Sequence, residues 1–168
     1  MAHGIVIDGK AIASEVKAKL KSRVEALVQE GRSIRLDAIL VGGDQGARLY
    51  SKNQAKACEA IGMVYHLHEL PADATESEVL SLIESINKDD TITGLMVHMP
   101  LPEQVNAETI QSAIAVTKDV EGVNPANIGN VVFGRRSLVP CTALAVMELI
   151  ESTGIKLEGA NVVCVGAS

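Results

Sequence analysis

Tyr50, Gln54 and His98 have side chains of types that can take part in binding or catalysis. Tyr50 and Gln54 are four residues apart, so a helix would place both side chains on one face. A tyrosine ring stacks on flat heterocycles, and a glutamine amide hydrogen bonds but does not shuttle protons. His98 follows an apolar run, and an imidazole titrates near neutral pH and can act as an acid or a base.

The remaining histidines and the cysteines do not indicate a metal or redox site. His66 and His68 fall on one face of a predicted strand, but the sequence suggests no third ligand. Cys58, Cys141 and Cys164 are widely spaced among apolar neighbours, which argues against a disulfide framework and against a cysteine nucleophile. We therefore expect no bound metal.

Helical and strand-like patterns alternate along the chain. Apolar spacing predicts helices over 11–29, 47–61, 106–115 and 142–151, and strands over 36–41, 63–70 and 93–99. Thr75 and Glu78 form a capping-box signature ahead of a further helix. This order is typical of an α/β fold with a parallel sheet and helices on both faces. Sites in such sheets lie at the carboxyl ends of strands, which include residues 98–100 here.

Two segments lie outside this alternating pattern. Residues 118–139 are rich in Gly, Asn and Pro and are predicted to form a long loop with a functional use. Residues 161–168 are an apolar run that ends in a glycine turn, as at the start of a nucleotide-binding unit. We expect a catalytic domain over 1–140, a linking helix over 141–157 and the first strand of a Rossmann-like domain over 158–168.

Composition narrows the function classes. The chain is 47% hydrophobic and 21% charged, which is ordinary for a globular protein. Its formal net charge of -6 is unsuited to nucleic acid or to anionic membrane surfaces. No apolar run reaches transmembrane length, and residues 1–8 lack the pattern of a signal peptide. A cytoplasmic location is therefore expected.

Several separated motifs together resemble the methylenetetrahydrofolate dehydrogenase/cyclohydrolase family. They are Val41-Gly42 followed by Tyr50 and residues 56–62; Gly94-Leu95-Met96-Val97-His98-Met99-Pro100-Leu101-Pro102; Lys118-Asp119-Val120-Glu121-Gly122-Val123-Asn124-Pro125 followed by Asn127, Gly129 and Pro140-Cys141-Thr142; and the closing Val163-Cys164-Val165-Gly166-Ala167-Ser168. All of them occur in the family's order and spacing.

The resemblance implies a bifunctional enzyme of one-carbon metabolism, both an oxidoreductase and a hydrolase. The family oxidises 5,10-methylenetetrahydrofolate with NADP and then hydrolyses the methenyl product to 10-formyltetrahydrofolate. The tetrahydrofolate derivative binds between two α/β domains, and the family forms homodimers through its NADP domain. Because most of that domain is absent here, this chain is expected to be monomeric.

The resemblance also assigns site roles, several of them to substituted residues. Tyr50 matches the tyrosine that packs on the folate ring, and Gln54 stands where the family has its catalytic lysine. His98 stands where the family has a glutamine, and Glu121 replaces the aspartate that binds the aminopyrimidine edge. Ala47 replaces a common serine. The implied catalytic set is therefore Tyr50, Gln54 and His98.

The remaining implied contacts are apolar or belong to the cofactor. Val97, Pro100, Leu101 and Pro102 are expected to complete the substrate site, with the prolines fixing its floor. Gly166 and Ser168 are implied to contact NADP. The paired change at positions 54 and 98 suggests that a titrating group has moved from the helix to the strand end.

Three functions remain open from the sequence. The first is an enzyme that still handles a reduced folate, with hydrolysis weakened unless His98 replaces the missing lysine. The second is a degenerate paralogue that binds a folate, a pterin or a protein partner without turnover. The third is an altered substrate on the same fold.

Overall fold

The computed structural model describes residues 4–43, 45–135 and 138–166. The helices are α1 (Gly9–Gln29), α2 (Gln45–Ala60), α3 (Glu76–Lys88), α4 (Ala107–Ala113), α5 (Pro125–Val132) and α6 (Cys141–Glu151). The strands are β1 (Arg35–Val41), β2 (Val64–Leu70) and β3 (Gly94–Val97). Among the described helices, none combines the length and apolarity that crossing a membrane requires.

The sheet is parallel, with β1 between β2 and β3. Alternate residues of β1 point to opposite faces, and both faces are buried because helices cover them. Ile39 packs in a cluster with Ile83 of α3, while Ala38 packs in a second cluster with Cys58 of α2. The predicted α/β fold with helices on both faces of a parallel sheet is therefore confirmed.

The first half of β1 carries a buried carboxylate, that of Asp37. Asp37 is fully buried and accepts hydrogen bonds from Arg35 Nε at 2.6 Å and Nη2 at 2.8 Å. His68 Nε2 lies 2.7 Å from Asp37 Oδ2, the oxygen that also accepts from Arg35 Nη2. Burial raises the pKa of Asp37, but the hydrogen bonds from Arg35 and His68 more than offset it and hold the pKa below its usual value. His68 therefore contributes a hydrogen bond to a buried carboxylate within the sheet.

The segment predicted as a loop over 118–139 contains a helix, so that prediction was wrong in part. Asn124 caps α5 by accepting a hydrogen bond from the amide of Ala126, and Pro125 occupies the first turn. An Asn-Pro pair suggests a turn, but an N-cap followed by proline at the first helical position also begins a helix.

The predicted strand over 161–168 does not form in its described part. Residues 161–166 lie in no helix or strand, and Val162, Val163 and Val165 are 70%, 85% and 97% exposed. A strand requires a hydrogen-bonding partner, and none of the described residues pairs with this segment. The helix predicted over 142–151 does form, as α6, and it ends at Glu151. Division into domains stays a prediction.

The capping box before α3 gives a direct test of the local sequence signal. Thr75 Oγ1 accepts from the amide of Glu78, and the Thr75 amide donates to Glu78 Oε2 at 2.7 Å. Thr75→Ala is expected to lower the free energy of unfolding by about 1 kcal/mol. Urea unfolding of this variant beside Thr75→Ser measures the effect. Equal losses in both variants would contradict a capping role for the hydroxyl.

Candidate active site

A cleft of about 510 Å³ opens beside the carboxyl end of β3. Tyr50 of α2 lines one side, residues 96–100 line the other, and Glu121 approaches from the loop that follows α4. Clefts of this size hold small organic ligands. The structure therefore brings together Tyr50, His98 and Glu121, which lie far apart in sequence.

His98 is held inside the wall of the cleft. Its backbone amide donates to the carbonyl of Ile39 at 2.8 Å, which fixes the residue to the end of the sheet. The side chain is 5% exposed, and its Nε2 is buried without a hydrogen-bond partner. Burial lowers the pKa of His98 below its ordinary value of 6.5, because it penalises the charged form. The imidazole is therefore neutral near pH 7 and able to accept a proton.

The ring of Tyr50 contacts the ring of His98. The two ring centroids lie 5.8 Å apart with an interplanar angle of 86°, an edge-to-face contact. Tyr50 is nevertheless 59% exposed. The contact steadies the ring while much of its surface stays open to a ligand.

Gln54 lies one helical turn beyond Tyr50, against Met96 rather than in the lining of the cleft. Its Nε2 lies 2.8 Å from Met96 Sδ, and its Oε1 is buried without a partner. Since α2 runs antiparallel to β3, Tyr50 meets His98 near the opening and Gln54 meets Met96 deeper in. Gln54 is therefore not among the described lining residues, although its neighbour Met96 is.

Glu121 brings a carboxylate to the cleft from the far side of β3. Burial raises its pKa and the charge of Asp119 raises it further, while a hydrogen bond from the Val97 amide acts in the opposite direction. The net direction is upward. Asp119 braces this loop by accepting from the Asn124 amide at 2.9 Å and from Asn127 Nδ2 at 2.8 Å.

Of the other residues implied for the site, the structure places some in the cleft and others away from it. Pro100 and Val97 line the cleft, and the Met99–Pro100 peptide bond is cis. Leu101 packs against the core, and neither it nor Pro102 is among the lining residues described. Gly166 belongs to the exposed tail, and Ser168 lies outside the described residues.

Met96, Met99 and Gly46 line the cleft but were missed from the sequence. The sequence did contain a signal that Met96 lines the site. Successive residues of a strand alternate between faces, so residues 96 and 98 share the face toward α2. A strand-end histidine facing a ligand therefore implicates the residue two positions before it.

Comparison with known proteins agrees with this geometry. The family model described as tetrahydrofolate dehydrogenase/cyclohydrolase, catalytic domain, matches residues 7–121. The bifunctional protein FolD of Listeria innocua is 42% identical over 165 residues, covering 98% of this chain and 58% of that protein. FolD of Moorella thermoacetica is 42% identical over 163 residues, covering 97% of this chain and 58% of the relative.

Solved structures give the same result. The bifunctional FolD methylenetetrahydrofolate dehydrogenase/cyclohydrolase from Campylobacter jejuni superposes with a TM-score of 0.95 at 37% identity, covering 98% of this chain and 58% of that one. The Trypanosoma brucei enzyme, complexed with NADP cofactor and inhibitor, gives a TM-score of 0.86 at 31% identity, covering 92% and 54%. The chain thus spans between a half and two thirds of the length of these relatives.

Proposed function

We propose, from the premise that this chain belongs to the tetrahydrofolate dehydrogenase/cyclohydrolase family, that its cleft binds a reduced folate and supports one-carbon chemistry on it. The reactions are oxidation of 5,10-methylenetetrahydrofolate and hydrolysis of 5,10-methenyltetrahydrofolate. The observation that carries the proposal is the convergence of Tyr50, His98 and Glu121 on one cleft.

Each wall of the cleft suits one part of a pterin. The exposed face of Tyr50 offers a stacking surface for the flat ring. The carboxylate of Glu121 can accept two parallel hydrogen bonds from a donor edge such as an aminopyrimidine. His98 lines the same cleft and contacts Tyr50, so it is placed to exchange a proton with a bound ligand.

The oxidation uses NADP in this proposal, and NADP supplies a hydride acceptor when bound. The described residues do not fit a nucleotide by themselves. Gly166 has a positive φ of 99°, but none of the residues that the structure describes has an atom within 4 Å of the position its Cβ would occupy. A cytoplasmic location and a monomeric state for this chain are part of the same proposal.

The function is tested by titrating the full-length protein with 5,10-methenyltetrahydrofolate and then measuring turnover. Binding together with hydrolysis above the rate in buffer, and NADP-dependent oxidation of the methylene form, are the expected results. Binding without either turnover would instead support a non-catalytic folate binder. Absence of binding would overturn the proposal.

The raised pKa of Glu121 predicts how binding depends on pH. An acceptor must be ionised to receive two hydrogen bonds, and this carboxyl keeps its proton to a higher pH than an ordinary glutamate. Affinity is therefore expected to be greatest above the raised pKa and to weaken several-fold as the pH falls through it. Calorimetric titrations from pH 8 to about pH 5 measure this. The Glu121→Gln variant should lose the dependence; if it keeps it, another group is responsible.

A further inference from the structure

The geometry points to His98 as the group that takes and returns the proton during hydrolysis of the methenyl bridge, acting through Nε2. This inference rests on the proposed function, since it concerns the same cleft and the same substrate. It adds the atom that carries the proton and excludes Gln54 from that step.

The first support is an unmet hydrogen bond beside the cleft. Within the described part of the chain, three buried polar side-chain atoms lack a partner: His98 Nε2, Gln54 Oε1 and Asp119 Oδ1. A buried polar atom without a partner costs about 1–3 kcal/mol, so native proteins rarely keep one unless water or a ligand completes it. His98 also lines the cleft, and this is where a water that completes the bond to Nε2 would be held.

The second support is the set of charged and titratable groups around the imidazole. Tyr50 faces it from α2, and Glu121 lines the same cleft from the loop. From β3 and the turn after it, the neighbours are the uncharged Met96, Met99 and Pro100. No lysine or arginine is among the described lining residues. His98 is therefore the basic group available to a ligand there.

The third support is that neither Glu121 nor Gln54 is suited to carry the proton. Glu121 lines the cleft and accepts a hydrogen bond from the Val97 amide, which suits it to hold the substrate. Gln54 has no proton to exchange near neutral pH and lies deeper, against Met96. Gln54 is better suited to positioning, because its free Oε1 can accept a hydrogen bond from a bound water.

The proton movements of the reaction balance with this assignment. Water adds to the cationic bridge carbon, a C–O bond forms, and one water proton passes to the neutral Nε2 of His98. The C–N bond to one ring nitrogen then breaks, and its electron pair goes to that nitrogen, which takes the proton back from His98. The second proton of the water leaves the hydroxyl for solvent as the formyl C=O bond forms.

His98→Gln in the full-length protein tests this inference. The glutamine keeps hydrogen-bonding capacity but cannot take a proton, so kcat for hydrolysis is expected to fall about 100-fold or more. The KM for methenyltetrahydrofolate is expected to change only a few-fold. His66→Gln makes the same chemical change at an exposed residue of β2 and should leave both constants unchanged. Rates are measured after subtraction of the rate in buffer.

The pH profile separates a proton carrier from a structural residue. A base with a lowered pKa stays neutral above that pKa, so wild-type kcat should be level near neutral pH and fall on the acidic side. At saturating substrate this limb should disappear in His98→Gln. If the variant hydrolyses as fast as the wild type, or keeps the acidic limb, the inference is wrong while folate binding still supports the proposed function. A wild type that does not bind the substrate overturns both.

Discussion

Replacement of Tyr50 by alanine is expected to weaken binding of a reduced folate to the cleft by about 30-fold. The ring is 59% exposed and faces the cleft, so a flat heterocycle can stack on it without displacing other side chains. Stacking of a heterocyclic base on an aromatic side chain contributes about 1–3 kcal/mol, and about 2 kcal/mol corresponds to 30-fold in affinity. Fluorescence or calorimetric titration with methenyltetrahydrofolate measures the change.

Two matched variants show whether the ring itself is responsible. Tyr50→Phe keeps the stacking face and loses only the hydroxyl, so its affinity should stay within a few-fold of the wild type. Tyr65→Phe removes a hydroxyl that lies 2.9 Å from Ser51 Oγ in the interior, and it should leave affinity unchanged. An affinity for Tyr50→Ala equal to that of the wild type would show that the ring does not contact the ligand.

The parts of the fold that the sequence predicted well are those fixed by local patterns. Residues 36–41 form a continuous apolar run apart from Asp37, and β1 is buried on both faces as a central parallel strand should be. The capping box at Thr75 marked the first residue of α3 correctly. Both signals act over a few residues, so no knowledge of tertiary contacts was needed.

The errors in the fold come from features that depend on partners. Residues 161–166 have the composition of a strand, but backbone pairing is not a property of the segment alone. The helix α5 lies in a stretch where Pro and Gly were interpreted as loop signals. Its N-cap, Asn124, is buried and also donates to the carbonyl of Ile114, a tertiary contact that the pattern does not contain.

The candidate site was predictable in outline for a topological reason. The carboxyl ends of parallel strands meet at one edge of the sheet, so His98 was expected near the segments that follow other strands. The depth of each side chain was not predictable. The packing of α2 on β3 determines that Gln54 contacts Met96 and that Tyr50 contacts His98. The same packing leaves Nε2 of His98 without a hydrogen-bond partner.

Gly122, the residue after Glu121, is expected to tolerate no side chain. Its φ is +65°, and an added Cβ would lie 2.4 Å from the carbonyl carbon of Val139 and 2.7 Å from the nitrogen of Pro140. Both are backbone atoms, so no rotamer change relieves the clash. A left-handed conformation costs a non-glycine residue about 1–2 kcal/mol, and overpacking adds about 1–3 kcal/mol. Gly122→Ala should therefore lower the free energy of unfolding by about 3 kcal/mol or more.

Gly134 provides the control, because it separates backbone strain from the clash. Its φ of +66° is nearly the same, but no atom of the described residues lies within 4 Å of its Cβ position, so Gly134→Ala should cost only the conformational term of about 1 kcal/mol. Urea unfolding compares the two variants. Gly122→Ala should in addition weaken folate binding, since relief of the clash has to move the loop and its neighbour Glu121 away from the Val97 amide. If the two variants are equally stable, the backbone of Val139 and Pro140 does not clash with a side chain at position 122. Glu121 is then held in the cleft by other contacts.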